Sequence, residues 1–254
     1  MNVLKTILQA KRLEIEKIRQ NSNGEVERHN IRSLKSALLS DSISVIAEIK
    51  MKSPSEGDIL SDADPVQIAR DYESAGATAI SVLTDGQFFG GSIDILKRVR
   101  KAVSIPVLRK DFIITSSQIS ETNMAGADAL LLIAEAVNSS ELSRLLAFGE
   151  TLGMEALVEF HDIENAPKLT ALSPSIIGVN CRNLETMTTD LTHFKKVFPL
   201  LPKEAVKIAE SGIQTSTDLK FLSDLGYDGA LVGTSLMKTD NPGNALEKLL
   251  RGTA

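Results

Sequence analysis

The feature that most constrains this chain is an alternation, repeated eight times, of short apolar runs with longer amphipathic segments. The runs are Val45–Ile49, Ala79–Leu83, Val107–Leu108 with its neighbours, Ala129–Ile133, Ala156–Val158, Ile176–Val179, Val206–Ala209 and Ala230–Val232. They are short, aliphatic and bounded by polar residues, so they read as buried strands. Between them, Pro65–Ser74, Ile93–Val103, Ser139–Leu152 and Ser216–Leu225 carry helical apolar spacing. Strict β–α alternation implies parallel strands with helical crossovers. Eight such units close into a (β/α)8 TIM barrel, with an open doubly wound sheet as the alternative.

Internal similarity favours the barrel. Ala75-Gly76-Ala77-Thr78-Ala79-Ile80, Ala125-Gly126-Ala127-Asp128-Ala129-Leu130 and Leu225-Gly226-Tyr227-Asp228-Gly229-Ala230 each read as helix end, glycine, polar residue and strand. Glycine at a helix exit takes the left-handed conformation that ends the helix. At 254 residues the chain has the length of one such barrel. No linker-like stretch divides it, so residues 1–254 read as one α/β domain. Residues 1–44 form an N-terminal helical extension: Leu4, Ile7, Leu8, Leu13, Ile15 and Ile18 mark an amphipathic helix, and Ser33–Leu39 a second short one.

Composition removes several functional classes. The chain is 43% hydrophobic and 24% charged, enough for a sizeable core. The lone Cys181 builds neither a disulfide framework nor a thiolate zinc site. A reducing, cytoplasmic setting is therefore expected. No apolar run approaches a membrane span, and Met1–Gln20 lacks the apolar stretch of a signal peptide. With a net charge of −5 and no basic runs, neither nucleic acid nor membrane is an expected partner.

In such a barrel the active site lies where strands end. The residues there are Glu48, Lys50 and Ser53 from strand 1 and its loop, Thr84 and Asp85 after strand 2, and Arg109, Lys110 and Asp111 after strand 3. Glu135 follows strand 4, Glu159 strand 5, Asn180 and Arg182 strand 6, Glu210 strand 7, and Gly233 and Thr234 strand 8. Strand alternation points Glu48 and Lys50 the same way, and likewise Asn180 and Arg182. Three glutamates and two lysines converging on one mouth would hold each other's charge and shift one another's pKa. The same set could also be an ion-pair ring that only closes the barrel top.

Ser211-Gly212-Ile213 and Gly233-Thr234-Ser235, after strands 7 and 8, supply small residues where barrels often bind phosphate. Neither GxGxxG nor GxxxxGK[ST] occurs. His29, His161 and His193 fall in different units, none at a strand end, so no metal site is expected. Cys181, between Asn180 and Arg182, should turn away from the pocket as a small buried residue.

Glu48-Ile49-Lys50-Met51-Lys52-Ser53-Pro54-Ser55 closely resembles the E-x-K-x-x-S-P-S signature of the indole-3-glycerol-phosphate synthase family. Phe89-Gly90-Gly91-Ser92, Val107-Leu108-Arg109-Lys110-Asp111-Phe112, Gly178-Val179-Asn180-Cys181-Arg182-Asn183-Leu184, Glu210-Ser211-Gly212-Ile213 and Leu231-Val232-Gly233-Thr234-Ser235 match it too. The resemblance covers nearly the whole chain. It implies a decarboxylating lyase of tryptophan biosynthesis that closes an indole ring on 1-(2-carboxyphenylamino)-1-deoxyribulose 5-phosphate, without metal or organic cofactor.

The resemblance also implies roles. Lys110 is the general acid, more useful as one if burial or nearby cations lowered its pKa. Glu159 serves the dehydration, and Lys50 steers the carboxylate. Glu48 and Glu210 orient the lysines and the substrate hydroxyls. Asn180 and Arg182 hold the anthranilate portion. Phe89 and Phe112 wall the ring, with Pro54, Leu131, Leu184 and Leu231 beside the substrate. Ser53, Ser211, Gly212, Gly233 and Thr234 surround the phosphate. Met51 and Cys181 stand at variable positions that point away. The chain contains no tryptophan, so an enzyme that helps make that amino acid could be translated while it is scarce. A monomer or weak homodimer is expected. Two other readings stay open: another phosphate-binding barrel, such as an isomerase or a Schiff-base aldolase using Lys110, and a non-catalytic barrel that binds a phosphorylated ligand.

Overall fold

The computed structural model describes residues 3–18, 30–54, 57–59, 63–183 and 188–251. The strands β1 (Ser44–Ile49), β2 (Ala79–Leu83), β3 (Val107–Lys110), β4 (Ala129–Ile133), β5 (Glu155–Phe160), β6 (Ile176–Asn180), β7 (Val206–Glu210) and β8 (Gly229–Val232) form one closed barrel. Every strand pairs in parallel with its sequence neighbours, and β1 closes on β8 with Ser44 opposite Gly229. The open-sheet alternative is thereby excluded.

The expected strands are all present, and several run further than their apolar cores. β5 continues through Glu159 to Phe160, β6 to Asn180, β7 to Glu210 and β3 to Lys110. The hydrogen-bond ladder continues through these polar residues because their side chains turn into the barrel mouth, where partners await them. One consequence is a correction: His161 follows directly on β5 and therefore does sit at a strand end.

Helices α1 (Val3–Ile18) and α2 (Leu34–Leu38) precede the barrel. Each strand is then followed by a crossover helix, beginning with α3 (Pro65–Ser74) and α4 (Ile93–Ala102). Asp64 caps α3 by accepting from the Val66 N–H, with Pro65 preset in the first turn. The repeat glycines Gly76, Gly126 and Gly226 all take positive φ (98°, 82° and 98°), the helix exit their sequence context demands.

Two apolar cores result. One lies between barrel and helices. The other fills the barrel interior with Ile46, Leu108, Leu131, Leu157, Ile176, Val206, Ile208 and Leu231, joined by Leu34 and Leu38 of α2. The extension thus divides between the two ends of the barrel. At the N-terminal end of the strands α2 is a plug: Glu155 accepts from Ser33 Oγ and Lys35 N at 2.8 Å each, and Asp128 from Arg32 N at 2.8 Å. Burying Leu34 and Leu38 completely is worth roughly 1.5–3 kcal/mol each. At the opposite end α1 lies over the mouth, its buried face formed by Leu4, Ile7, Leu8, Lys11 and Ile15. Leu13, counted with that face in the sequence, is 66% exposed, because it projects from the outer side of the helix.

Candidate active site

The C-terminal ends of the strands enclose a cavity of roughly 610 Å³. Lys110 stands near its centre. Its Nζ is 2.8 Å from Glu159 Oε2 and 3.5 Å from Glu210 Oε2. Glu159 also accepts from Asn180 Nδ2 at 2.8 Å. On β1, Lys50 Nζ lies 2.9 Å from Glu48 Oε1, so alternation does point these two together. Asn180 and Arg182 share the cavity as well, and Arg182 N donates to Asn180 Oδ1 at 2.9 Å.

Two glycines make the carboxylate ring sterically possible. A Cβ on Gly178 would sit 2.1 Å from Glu210 Oε1, and one on Gly233 would sit 2.4 Å from Glu48 Oε1. Each carboxyl therefore occupies the side-chain space of a glycine on, or just beyond, the neighbouring strand.

Charge is distributed unevenly over the group. Burial opposes the Lys110 ammonium, but Glu159, Glu210 and Glu48 outweigh it and raise its pKa. The lowered pKa considered for this lysine is not found, because three carboxylates face it. Burial would raise Glu159, yet the contact with Lys110 prevails and holds its carboxyl below the usual range. Glu210 moves the other way: burial and the Glu159 charge push it well up. Its Oε1 is buried with no hydrogen-bond partner among the described residues. Like charges sharing one pocket cannot both ionise cheaply, and the two carboxyls are pushed in opposite directions, Glu159 down and Glu210 up.

One side of the cavity is apolar. Phe89 and Phe112 have ring centroids 6.0 Å apart, and Leu131 and Leu231 of the interior core line the same cavity. Small residues line the cavity too: Ser53 and Pro54 beyond β1, and Ser211, Gly212, Gly233 and Thr234 beyond β7 and β8. Ser211 and Gly212 are both left-handed, with φ of 72° and 75°. Such a tight turn lets successive N–H groups share one anion. Every site residue named from the sequence lines this single cavity except Leu184, which lies outside the described residues.

Other strand-end residues serve the framework. Glu135 accepts from the His161 and Asp162 backbone N–H groups and from Asn165 Nδ2, away from the cavity. Arg109 points outward to Thr84, Gln118, Thr122, Asp111 and Glu121. Cys181 turns away from the cavity as expected, its Sγ donating to Ser211 O, and burial pushes its thiol up to about 11. His161 and His193 stack with centroids 4.8 Å apart, and each ring bonds a backbone carbonyl. His29 lies outside the described residues. Among the described residues, no group of three or more His, Cys, Asp or Glu side chains is placed to share a metal ion.

Sequence reasoning missed the contribution of α1, whose Val3, Leu4 and Ile7 line the cavity, and of Lys238 and Gln214 near the small-residue cradle. One signal was available. Lys11 interrupts the apolar stripe Leu4, Ile7, Ile15, and a charge in the middle of a buried face needs a buried partner.

A closed barrel with a buried Lys–Glu cluster at the strand ends and turns of small residues beyond β7 and β8 has the build shared by phosphate-handling barrel enzymes. Solved structures agree on the fold. The 3-hexulose-6-phosphate synthase of Salmonella typhimurium superposes with a TM-score of 0.66 at 13% identity, over 83% of this chain and 98% of that one. A thiamine phosphate pyrophosphorylase from Pyrococcus furiosus gives 0.62 at 16%, over 87% and 98%. Sequence comparison is more specific. The family model described as indole-3-glycerol phosphate synthase matches residues 4–249. The indole-3-glycerol phosphate synthase of Mycolicibacterium gilvum is 49% identical over 84% of this chain and 79% of its own length. That of Halalkalibacterium halodurans is 44% identical over 98% and 97%. The chain belongs to the indole-3-glycerol phosphate synthase family.

Proposed function

We propose that the chain converts 1-(2-carboxyphenylamino)-1-deoxyribulose 5-phosphate to indole-3-glycerol phosphate, releasing carbon dioxide and water, as a lyase of tryptophan biosynthesis. The observation that carries this reading is the buried Lys110–Glu159 pair set between an aromatic wall and an anion cradle. The substrate has the same three parts: an aryl carboxylate, a ketone and a phosphate.

The roles follow from charge. A ring carbon bonds to the ketone carbon, and the ketone oxygen gains negative charge as it does so. Lys110, held protonated by its neighbours, donates to that oxygen. The carboxylate leaves as carbon dioxide and restores the aromatic ring. Loss of the new hydroxyl completes the indole: it takes a proton as its C–O bond breaks and leaves as water, Glu159 takes the proton released from the neighbouring ring carbon, and solvent returns the one proton that Lys110 gave up. Lys50 and Arg182 face the substrate carboxylate, Arg182 in a fork. Asn180 fixes Glu159. Phe89 and Phe112 enclose the aryl ring, and Leu184 is assigned to the same apolar side. Ser53, Ser211, Gly212, Gly233 and Thr234 take the phosphate, and Glu48 and Glu210 keep the lysines oriented. Atoms and electrons balance without a redox partner or cofactor.

Formation of indole absorbance from the synthetic substrate tests the reading. The chain has no tryptophan, so product fluorescence rises on a dark background. Wild-type protein that binds the substrate and produces no indole overturns it. A Schiff-base aldolase is disfavoured by the charge on Lys110, since a nucleophilic amine must be neutral. A borohydride-trapped adduct on Lys110 would reverse that judgement.

We also read residues 1–254 as one domain acting as a monomer or weak homodimer in the cytoplasm. The buried, unpaired Cys181 suits a reducing compartment. No helix among the described residues is long and apolar enough to cross a membrane, and nucleic acid is not among the partners we assign.

A further inference from the structure

Lys11 is an anomaly for a surface helix. Its side chain is 1% exposed, yet it ends in a charge. Its Nζ lies 2.9 Å from each of three carboxylates: Glu14 on the same helix, Asp85 beyond β2 and Asp111 beyond β3. The side chains of Asp85 and Asp111 are as buried as Lys11 itself.

What those two aspartates do with their remaining capacity matters. Asp85 Oδ1 accepts from Phe88 N at 2.7 Å and so caps the helical turn Gly86–Phe89 that carries Phe89. Asp111 Oδ1 accepts from Phe112 N at 2.8 Å. Phe89 and Phe112 are the two rings of the cavity's aromatic wall. The helix bearing Lys11 supplies Val3, Leu4 and Ile7 to the same cavity. One ammonium thus joins the three pieces that enclose the apolar end of the site.

We propose that Lys11 is a positioning residue for the aryl end of the substrate, holding α1, Phe89 and Phe112 in register through Asp85 and Asp111. It touches no reacting atom. Its effect passes through the enclosure it assembles, whereas Ser211 and Gly212, assigned to the phosphate, follow β7, which lies across the barrel from β3. The proposal rests on the substrate reading above, which assigns the aryl ring to Phe89 and Phe112.

The test separates the two ends of the site. Lys11→Met keeps the length of the side chain and removes its charge. Two dead-end inhibitors are compared at a temperature where the variant is folded: anthranilate for the aryl end and inorganic phosphate for the cradle. The expected result is an anthranilate Ki raised about tenfold, a phosphate Ki within about twofold of wild type, and kcat/KM lowered on the order of 10²-fold, as misplacement of about 1 Å produces. A purely structural lysine would lower the melting temperature and leave both Ki values alone. That outcome, or an equal change in both, overturns the proposal. If Lys11→Met does not fold, Lys11→Met with Asp85→Asn removes the charges as a pair while the amide still caps Phe88, and the same two Ki values decide. A wild-type protein that forms no indole would bring down the substrate reading itself. An active wild type with an unaffected variant brings down only the role of Lys11.

Discussion

Lys110 donates to Glu159 across 2.8 Å inside the barrel mouth, and each partner sets the protonation state of the other. The ammonium is held charged and the carboxylate is held ionised, so the acid and the base exist together at neutral pH. Lys110→Met should therefore remove the acid without touching the core. A loss of about 10²–10⁴-fold in kcat is expected, the usual worth of a positioned acid. The unfolding midpoint should fall, because Glu159 loses its buried partner, while the variant remains folded at 25 °C. Single-turnover indole formation and thermal unfolding measured on one sample check both halves. An unchanged kcat would refute the role.

Glu159 and Glu210 are both buried glutamates beside Lys110, yet their surroundings push their pKa values in opposite directions. Glu159 is lowered and Glu210 raised, so a neutral amide should mimic Glu210 well and Glu159 badly. Glu210→Gln is expected to keep kcat within about tenfold of wild type. Glu159→Gln should lose on the order of 10²–10⁴-fold, with kcat falling more than KM rises. The reverse ranking would show that Glu210 carries the working negative charge. A rise in KM alone for Glu159→Gln would make that residue a binding group.

The barrel was legible because its strands are apolar on both faces and its helices on one. The limits of the strands were not. Lys110, Glu159, Asn180 and Glu210 end hydropathic runs but stay on the hydrogen-bond ladder, since charge inside a barrel is tolerated where it is paired. That is why His161 looked remote from a strand end. The site residues were legible from position plus motif, whereas Glu135 and Arg109 shared the position and do framework work. Phe89 and Phe112 could be named, but their supports could not. Asp85, Asp111 and Lys11 meet only through tertiary structure, and sequence separation hides such a contact. Gly178 was likewise silent, because the role of its missing side chain depends on a carboxyl from β7.

Gly178→Ala tests that spacing directly. The new methyl would overlap Glu210 Oε1 at 2.1 Å and press on Leu157 Cδ1 at 3.3 Å. Overpacking of this kind costs about 1–3 kcal/mol, and the displaced carboxyl leaves Lys110. A kcat loss of at least about tenfold is expected. Combining the change with Glu210→Ala should relieve the clash, so that the double variant is more stable than Gly178→Ala alone. Simple additivity of the two stability changes would mean that glycine and carboxyl do not compete for the same space.

The extension serves stability at one end and the site at the other, and one substitution separates these duties. Leu38 is fully buried where α2 plugs the barrel floor, far from the mouth. Leu38→Ala should cost about 2–5 kcal/mol in urea unfolding while kcat and KM at 25 °C stay near wild type. A loss of activity in a variant that remains folded would mean that the floor communicates with the site.

Asp111 supplies a test of linkage. Burial would raise its carboxyl, but Arg109, Lys11 and Thr84 hold it down at about 2, against 3.8 for a free aspartate. A carboxyl depressed in the folded state contributes stability above its unfolded pKa and loses it as pH falls through the folded value. The contribution should therefore be fully present above about pH 5 and fade between about pH 4 and pH 2, with a size of about 2 kcal/mol. Asp111→Asn removes the titrating group while keeping its shape. The stability deficit of the variant, measured by urea unfolding at successive pH values, should be largest near neutrality and shrink toward pH 2, where the wild-type side chain also becomes neutral. A deficit that stays constant across that window would show that the aspartate stabilises the fold by packing and hydrogen bonding alone, with no contribution from its charge.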